Sequence, residues 1–318
     1  MTSASSLAAQ GRDFRQSDWD AQIEDDCRQI VRLAVREELD RAFDWTTVVL
    51  VPSDARGEAR LVARQAGVIA GLRPAAVAID EMQVDVQWTA QVEEGALVER
   101  GQCVAVVRGS ARDLLTTERT VLNILCRLSG IATNTRQYVD RLAGSQAKLY
   151  DTRKTTPGWR RLEKYAVRRG GGHNHRTGLF DAILIKDNHL AVGQPADAPP
   201  RYSPAEAVRR AKQFLADQPT VLSEGRPLLV EIEVDTLEQL AQVLPVGPDI
   251  VLLDNMPPAV LREAVALRDR LAPHVELEAS GGITLDTIAD VGATGVDRIS
   301  CGALTHSAIN FDIGLDWV

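Results

Sequence analysis

The chain has 318 residues, of which 45% are hydrophobic and 25% charged, with a formal net charge of −8. This is the make-up of a soluble globular protein with room for one large domain or two ordinary ones, and its acidity weighs against a nucleic-acid partner, because such domains are basic overall. No apolar run approaches the roughly 20 residues that span a bilayer, the first residues lack a signal-peptide core, and the four cysteines (Cys27, Cys103, Cys126, Cys301) show no CxxC spacing, so no membrane partner, disulfide framework or zinc site is expected and the protein reads as cytoplasmic.

In chain order, residues 1–20 read as a flexible arm. A first α+β domain is expected over 21–127. Ile23 to Phe43 has apolar residues at three- and four-residue steps, the mark of an amphipathic helix. Short β-rich runs follow, TTVVLV, ARLVARQAGVIAG, VDVQWTAQV and QCVAVVRG, interrupted by a short helix from Pro74 to Met82. The stretch VEEGALVERGQCVAVVRG has the strand–turn–strand pattern of biotinyl and lipoyl carriers, but no lysine precedes Lys148 to hold such a cofactor. Two bridging helices are expected, Ala111 to Leu128 and Ala132 to Ala143, separated at Ser129-Gly130.

From residue 128 to 303 strands and helices alternate. Strand candidates are AKLYD, DAILIKD, LLVEIEV, DIVLLD, VELEAS and DRISCG. Helices are expected at Gly158 to Arg169, Pro204 to Ala216, Thr236 to Val243, Ala259 to Leu271 and Leu285 to Val291, with a surface loop from Gln194 to Tyr202. Alternating βα units imply a parallel sheet, and the even spacing of the polar residues that close the strands favours a closed βα barrel. The tail, 304–318, alternates like a strand that returns to the first domain.

In such barrels active sites lie at the C-terminal strand ends. That rule selects Arg153, Lys154, Lys186, Asn188, Glu233, Asp254, Ser280, Gly281, Cys301 and Gly302. The window Thr152 to Arg176 carries +7 inside a chain of −8, which points to a local anionic ligand, and its GGGHNHR stretch brings His175 and Arg176 to a loop. Arginine suits bidentate carboxylate or phosphate binding, and lysine meets phosphate as a point charge. Carboxylates at strand tips suit ribose hydroxyls or Mg²⁺ through water. Other readings stand beside these. Glu233, on one strand face with Glu231, equally suits a salt bridge with a lysine; Asp254 suits a helix cap; the glycines suit tight turns; and Lys186 suits a Schiff-base aldolase.

The segments DTRKTTPGWRRLEKYAVRRGGGHNHRTGLFDAILIKDNH, VEIEVDT, LLDNM, EASGGI and ISCGALTHS, in this order, resemble the quinolinate phosphoribosyltransferase family, and the resemblance runs over roughly residues 45 to 310. It implies an N-terminal open α/β sandwich joined to a seven-stranded α/β barrel in a head-to-tail homodimer. It also implies a reaction: quinolinate and phosphoribosyl pyrophosphate, with Mg²⁺, give nicotinate mononucleotide, pyrophosphate and CO₂. By the resemblance, Arg153, His175, Arg176 and Lys186 hold quinolinate, beside Thr152 at the same strand end. Arg119 reaches the neighbouring subunit's site. Lys154 meets the phosphates, and Glu233 and Asp254 lie near the ribose and metal. Ser280, Gly281 and Gly282 with Cys301, Gly302 and Ala303 hold the 5′-phosphate, with His306 a further donor. The chain departs from the family at AFDWTT, where an acidic Gly-Asp turn is usual, at Gly282, where Asn is common, and at Cys301, where Val is common.

Overall fold

The computed structural model describes residues 13–193, 202–218, 220, 222–223 and 225–318. The chain divides into two compact units that alternate along the sequence: one is Ser17–Asp140 with Lys154–Gly172 and Gly302–Val318, the other is the segment ending at Gln16 with Arg141–Arg153 and His173–Cys301. This partition differs from a division at residue 127, because residues 128–140 and the basic helix group with the N-terminal elements; the last residues group there too.

The first unit is built on a four-stranded antiparallel sheet. Strands β1 (Arg56–Ala63), β2 (Val86–Ala90) and β3 (Cys103–Ser110) join the C-terminal strand Ile313–Trp317 in the order C-terminal strand, β1, β3, β2. Leu61 lies opposite both Leu315 and Ala105, and the sheet face buries Leu61, Ile69, Val104, Leu122, Leu125 and Phe311. Residues Ala21–Leu39 form a helix started by Asp20, whose side chain accepts the N–H groups of Gln22 and Ile23, as an N-cap should.

Two segments of this unit fold otherwise than their composition suggests. TTVVLV belongs to a short helix, Trp45–Leu50, because Asp44 caps it by accepting the Thr47 N–H at 3.0 Å; the cap outweighs the β-preference of the valines. The expected break at Ser129-Gly130 is absent: one helix runs Ala111–Arg141. Ser129 Oγ donates to the Ala70 carbonyl and accepts the Ala70 N–H, each at 3.0 Å, and a Cβ on Gly130 would lie 2.2 Å from the Ile309 carbonyl oxygen. The pair is a packing site for neighbouring backbone, not a helix stop.

The second unit holds a six-stranded, all-parallel sheet. Its strands are β4 (Lys148–Tyr150), β5 (Ala182–Ile185), β6 (Leu229–Val234), β7 (Ile250–Asp254), β8 (Glu276–Ser280) and β9 (Arg298–Ser300), in the order β4, β9, β8, β7, β6, β5. Val251, Leu253, Leu277 and Ile299 are fully buried, as expected of strands covered on both faces. Helices Pro204–Asp217, Leu237–Val243, Pro258–Leu271 and Ile288–Gly292 alternate with them. Asp254 pairs with Ser280, Ser280 with Ser300, and Ser300 with Tyr150, so the polar strand ends form one tier.

The seventh strand is not a ladder among the described residues. In its place His173 makes a single parallel bridge to Tyr150. The following N–H groups are taken by side chains: Asn174 donates to Gln16 Oε1 and His175 to Asp151 Oδ1, each at 2.8 Å. The arm expected over 1–20 also needs correction in its described part, since Phe14 is 4% exposed and packs with Tyr150, Ala182, Leu229 and Ile250. Residues 1–12 of that arm, and residues 194–201 of the expected Gln194 to Tyr202 loop, lie outside the described residues.

Candidate active site

In the parallel unit, the end of β4 leads into Asp151, Thr152 and Arg153. Asp151 is fully buried, and its carboxylate accepts the Asn174 side chain at 2.7 Å as well as the His175 N–H. This ties the GGGHNHR loop to the strand end and places Arg176 beside Arg153. Burial, and then the Arg153 charge, lower the pKa of Arg176. Arg176 Nη1 donates to the Ala182 carbonyl at 3.3 Å, while the Nε atoms of both Arg153 and Arg176 are buried without a hydrogen-bond partner. Two like charges with buried, unmet donors are costly alone and are the arrangement an anionic ligand stabilises.

His175 is expected to touch substrate as a cation, but its geometry assigns it another task. Nδ1 accepts the Arg176 N–H at 2.8 Å, and Nε2 faces Glu231 at 3.1 Å and Glu278 at 3.4 Å. Burial disfavours a charged ring, yet the two carboxylates outweigh it and push the pKa up to about 9. The Arg176 N–H needs the Nδ1 lone pair and resists that second proton. In either state Nε2 carries a proton held by carboxylates, so both ring nitrogens serve the protein. Burial works against the Glu278 charge as well, but His175, Arg298 and Ser300 outweigh it and hold its pKa down to about 2. Arg298 completes the cluster, with Nε 3.2 Å from Glu278.

Lys186, at the end of β5, pairs with Glu233 of β6 at 2.5 Å, the salt bridge that the sequence left open for Glu233. Asp254 is not a cap: the helix that follows begins after Pro257, and Asp254 Oδ2 accepts the Asn255 side chain at 2.8 Å. Ser280 ends β8. Gly281 has φ +94°, and a Cβ there would lie 2.2 Å from Asn255 Oδ1, so only glycine fits this turn. Gly282 also has positive φ, at +63°, but faces open space. Cys301 is buried, with Sγ 3.5 Å from the Ile283 carbonyl.

In the other unit, Lys154 and the turn Gly302–His306 are held together. The Thr305 hydroxyl donates to the Lys154 carbonyl at 2.8 Å, and a Cβ on Gly302 would lie 2.9 Å from Lys154 Cδ. Asn134 donates to the Ala303 carbonyl at 3.0 Å. Arg127 Nη2 bridges Glu163 and the Thr305 carbonyl, both at 2.7 Å, and Glu163 accepts the Thr156 hydroxyl at 2.8 Å. His306 is exposed, its Nδ1 2.7 Å from Ser307 Oγ. Arg119 lies on the exposed side of the Ala111–Arg141 helix.

Asp254 and Glu233 are the strand-end carboxylates that could hold a divalent cation: Asp254 is half-buried with one oxygen engaged by Asn255, and one Glu233 oxygen is taken by Lys186. Such open donor sets suit Mg²⁺, which keeps several waters. Among the described residues, three ligand-type side chains also converge at His175, Glu231 and Glu278, but they are committed to one another and to Arg298. Glu231, Glu278, Asp151 and Arg127 were missed by sequence reasoning. Strand alternation offered a signal for two of them, since Glu231 shares a face with Glu233 and Glu278 with Ser280.

A parallel βα unit with cations and two carboxylates at its strand ends defines an enzyme acting on a small anionic substrate. The family model for the quinolinate phosphoribosyl transferase C-terminal domain matches residues 131–316, and that for the N-terminal domain matches 44–129. A nicotinate-nucleotide pyrophosphorylase [carboxylating] of Mycobacterium leprae is 46% identical over 295 residues, 92% of this chain and 97% of that protein. The quinolinate phosphoribosyltransferase [decarboxylating] 2b, mitochondrial, of Nicotiana tabacum is 34% identical over 305 residues, 91% of this chain and 82% of that one. The solved nicotinate-nucleotide pyrophosphorylase of Francisella tularensis superposes with a TM-score of 0.83 at 32% identity, covering 96% of this chain and 100% of that one. The chain belongs to the quinolinate phosphoribosyltransferase family. No described helix is long and apolar enough to cross a membrane.

Proposed function

We propose that this chain makes nicotinate mononucleotide, pyrophosphate and CO₂ from quinolinate and phosphoribosyl pyrophosphate, a step of de novo NAD synthesis. The observation that carries the reading is the pair Arg153 and Arg176, whose buried Nε donors have no protein partner. Quinolinate offers two adjacent carboxylates, and guanidinium groups bind carboxylates with matched geometry. Lys186 adds a third cation once Glu233 turns to the ribose. His175 orients Arg176 rather than meeting the substrate. Lys154, the Ser280–Gly282 turn and the Gly302–His306 turn are assigned to phosphate groups.

The pyridine nitrogen displaces pyrophosphate at the ribose C1; the resulting pyridinium stabilises the carbanion left when the adjacent carboxylate departs as CO₂, and that carbon takes up a proton from solvent to give nicotinate mononucleotide. The protein's part is positioning and charge stabilisation. Mg²⁺, held through water by Glu233 and Asp254, would supply neutralising charge for the pyrophosphate oxygens. A homodimer in which Arg119 serves the neighbouring subunit's site is part of this reading. The ion pair of Lys186 with Glu233 speaks against the aldolase alternative, whose lysine must be free to reach a carbonyl.

The test uses the purified chain with phosphoribosyl pyrophosphate, Mg²⁺ and quinolinate labelled at the 2-carboxyl carbon, with nicotinate as a parallel substrate. Labelled CO₂ and nicotinate mononucleotide released in equal amounts are expected. Product from nicotinate alone would overturn the assignment of the arginine pair.

A further inference from the structure

The segment Asp13–Gln16 precedes residue 44, where the family models begin, and no motif in it carries chemistry. Its side chains nevertheless pack into the core of the parallel unit. The Phe14 ring packs on Ala182, Leu229 and Ile250, the first residues of β5, β6 and β7. It therefore lies by the N-terminal ends of these three strands, and it also packs on Tyr150, the last residue of β4. Its ring centroid lies 4.3 Å from that of His175.

Two further contacts lead to the same place. Asp13 accepts the Tyr150 hydroxyl at 2.9 Å and Arg298 Nη2 at 3.0 Å, and Arg298 holds Glu278, which faces His175 Nε2. Gln16 accepts the Asn174 N–H at 2.8 Å and donates to the Asn174 carbonyl at 3.1 Å. All three routes end on residues 174–175, immediately before Arg176, whose N–H is held by His175 Nδ1.

We propose that Asp13–Gln16 is a plug that positions Arg176 for its carboxylate ligand, acting through Asn174 and the His175 ring. Phe14 is the floor on which His175 rests, and Gln16 substitutes for the missing seventh-strand partner of Asn174. Phe14 and Gln16 are positioning residues: neither touches substrate. The inference rests on the reading that Arg176 binds quinolinate, and it adds a determinant of acid binding outside the matched domains.

The test compares full-length Phe14→Ala, Phe14→Leu and Gln16→Ala with the parent in steady-state assays, with melting temperatures alongside. A guanidinium displaced by a fraction of an ångström weakens a bidentate contact, so quinolinate KM should rise about tenfold in Phe14→Ala and about fivefold in Gln16→Ala. The KM for phosphoribosyl pyrophosphate should stay within about twofold. Phe14→Leu, which keeps an apolar floor, should recover most of the loss. Gln16 is half-buried, so Gln16→Ala leaves no core cavity and decides the matter if Phe14→Ala fails to fold. Equal rises in both KM values, or an unchanged quinolinate KM beside a lowered melting temperature, would overturn the inference. A parent chain that turns over no quinolinate would overturn the functional reading instead.

Discussion

Replacing Gly130 by alanine sets two physical rules against each other. In a helix interior the change is normally worth about 1 kcal/mol in favour of alanine, and a true break at Ser129-Gly130 would make it neutral or helpful. Here the new Cβ would lie 2.2 Å from the Ile309 carbonyl oxygen and 3.1 Å from Asn310 Cα. Carbon and oxygen rest at about 3.5 Å, so the Ile309–Asn310 backbone must retreat by roughly 1 Å. That backbone is held on both sides. The Ala308 carbonyl accepts Arg127 at 3.2 Å, and the Phe311 N–H donates to the Cys126 carbonyl at 2.8 Å. Phe311 is 1% exposed in the core, so the displacement propagates into close packing. Overpacking of this kind costs about 1–3 kcal/mol or more, and after the helix gain a net loss of about 1–2 kcal/mol is expected in urea unfolding. Because Arg127 also bonds the Thr305 carbonyl, the KM for phosphoribosyl pyrophosphate should rise as well. A Gly130→Ala protein as stable as the parent would refute the close-approach account.

Glu163→Gln keeps an acceptor for Thr156 but removes the charge opposite Arg127. Arg127 is partly solvated, so the loss should be about 1–2 kcal/mol, below that of a fully buried pair. Activity assays should show weaker phosphoribosyl pyrophosphate binding, because Thr305 and through it Lys154 lose their anchor, with quinolinate KM little changed. The Glu278 pKa is depressed below the usual 4.5 to about 2, so its contribution is present above pH 4.5 and is lost as pH falls through 2. Urea midpoints recorded from pH 5 to 3 should fall more steeply in the parent than in Glu278→Gln, by on the order of 2 kcal/mol across the full window. Equal slopes would remove Glu278 from the account of acid stability. Arg119→Ala and Arg153→Ala should each be nearly inactive. Mixing them, with subunit exchange verified by mass, should restore about a quarter of parent activity if each site draws one arginine from each subunit. No recovery would count against a shared site.

The parallel strands were legible because each is buried on both faces and must be a short apolar run closed by a polar residue. LLVEIEV, DIVLLD and VELEAS announce themselves in this way. The strand-end rule then drew Arg153, Lys186, Glu233, Asp254 and Ser280 from the background before any chemistry was considered. The failures share a cause. Trp45–Leu50 is β-rich by residue type but is started as a helix by one aspartate. Ser129-Gly130 carries a breaker's composition but is used for close backbone approach. His173–Arg176 stands where a strand belongs, yet after the His173 N–H, which meets the Leu149 carbonyl, its N–H groups go to Gln16, Asp151 and the ring of His175. In each case a partner remote in sequence, or one capping side chain, outweighs the local preference. Phe14 is the clearest instance, since an isolated aromatic in a polar stretch carries no periodicity at all. Its role depends on Ala182, Leu229 and Ile250, all more than 160 positions later. The sequence also assigned His175 its charge without its direction. A histidine beside an arginine reads as a second cation until the two buried glutamates facing it are known, and they come together only through the register of the parallel strands. Charge near a site can thus be read from sequence, whereas the division between groups that bind and groups that aim them is a property of the fold.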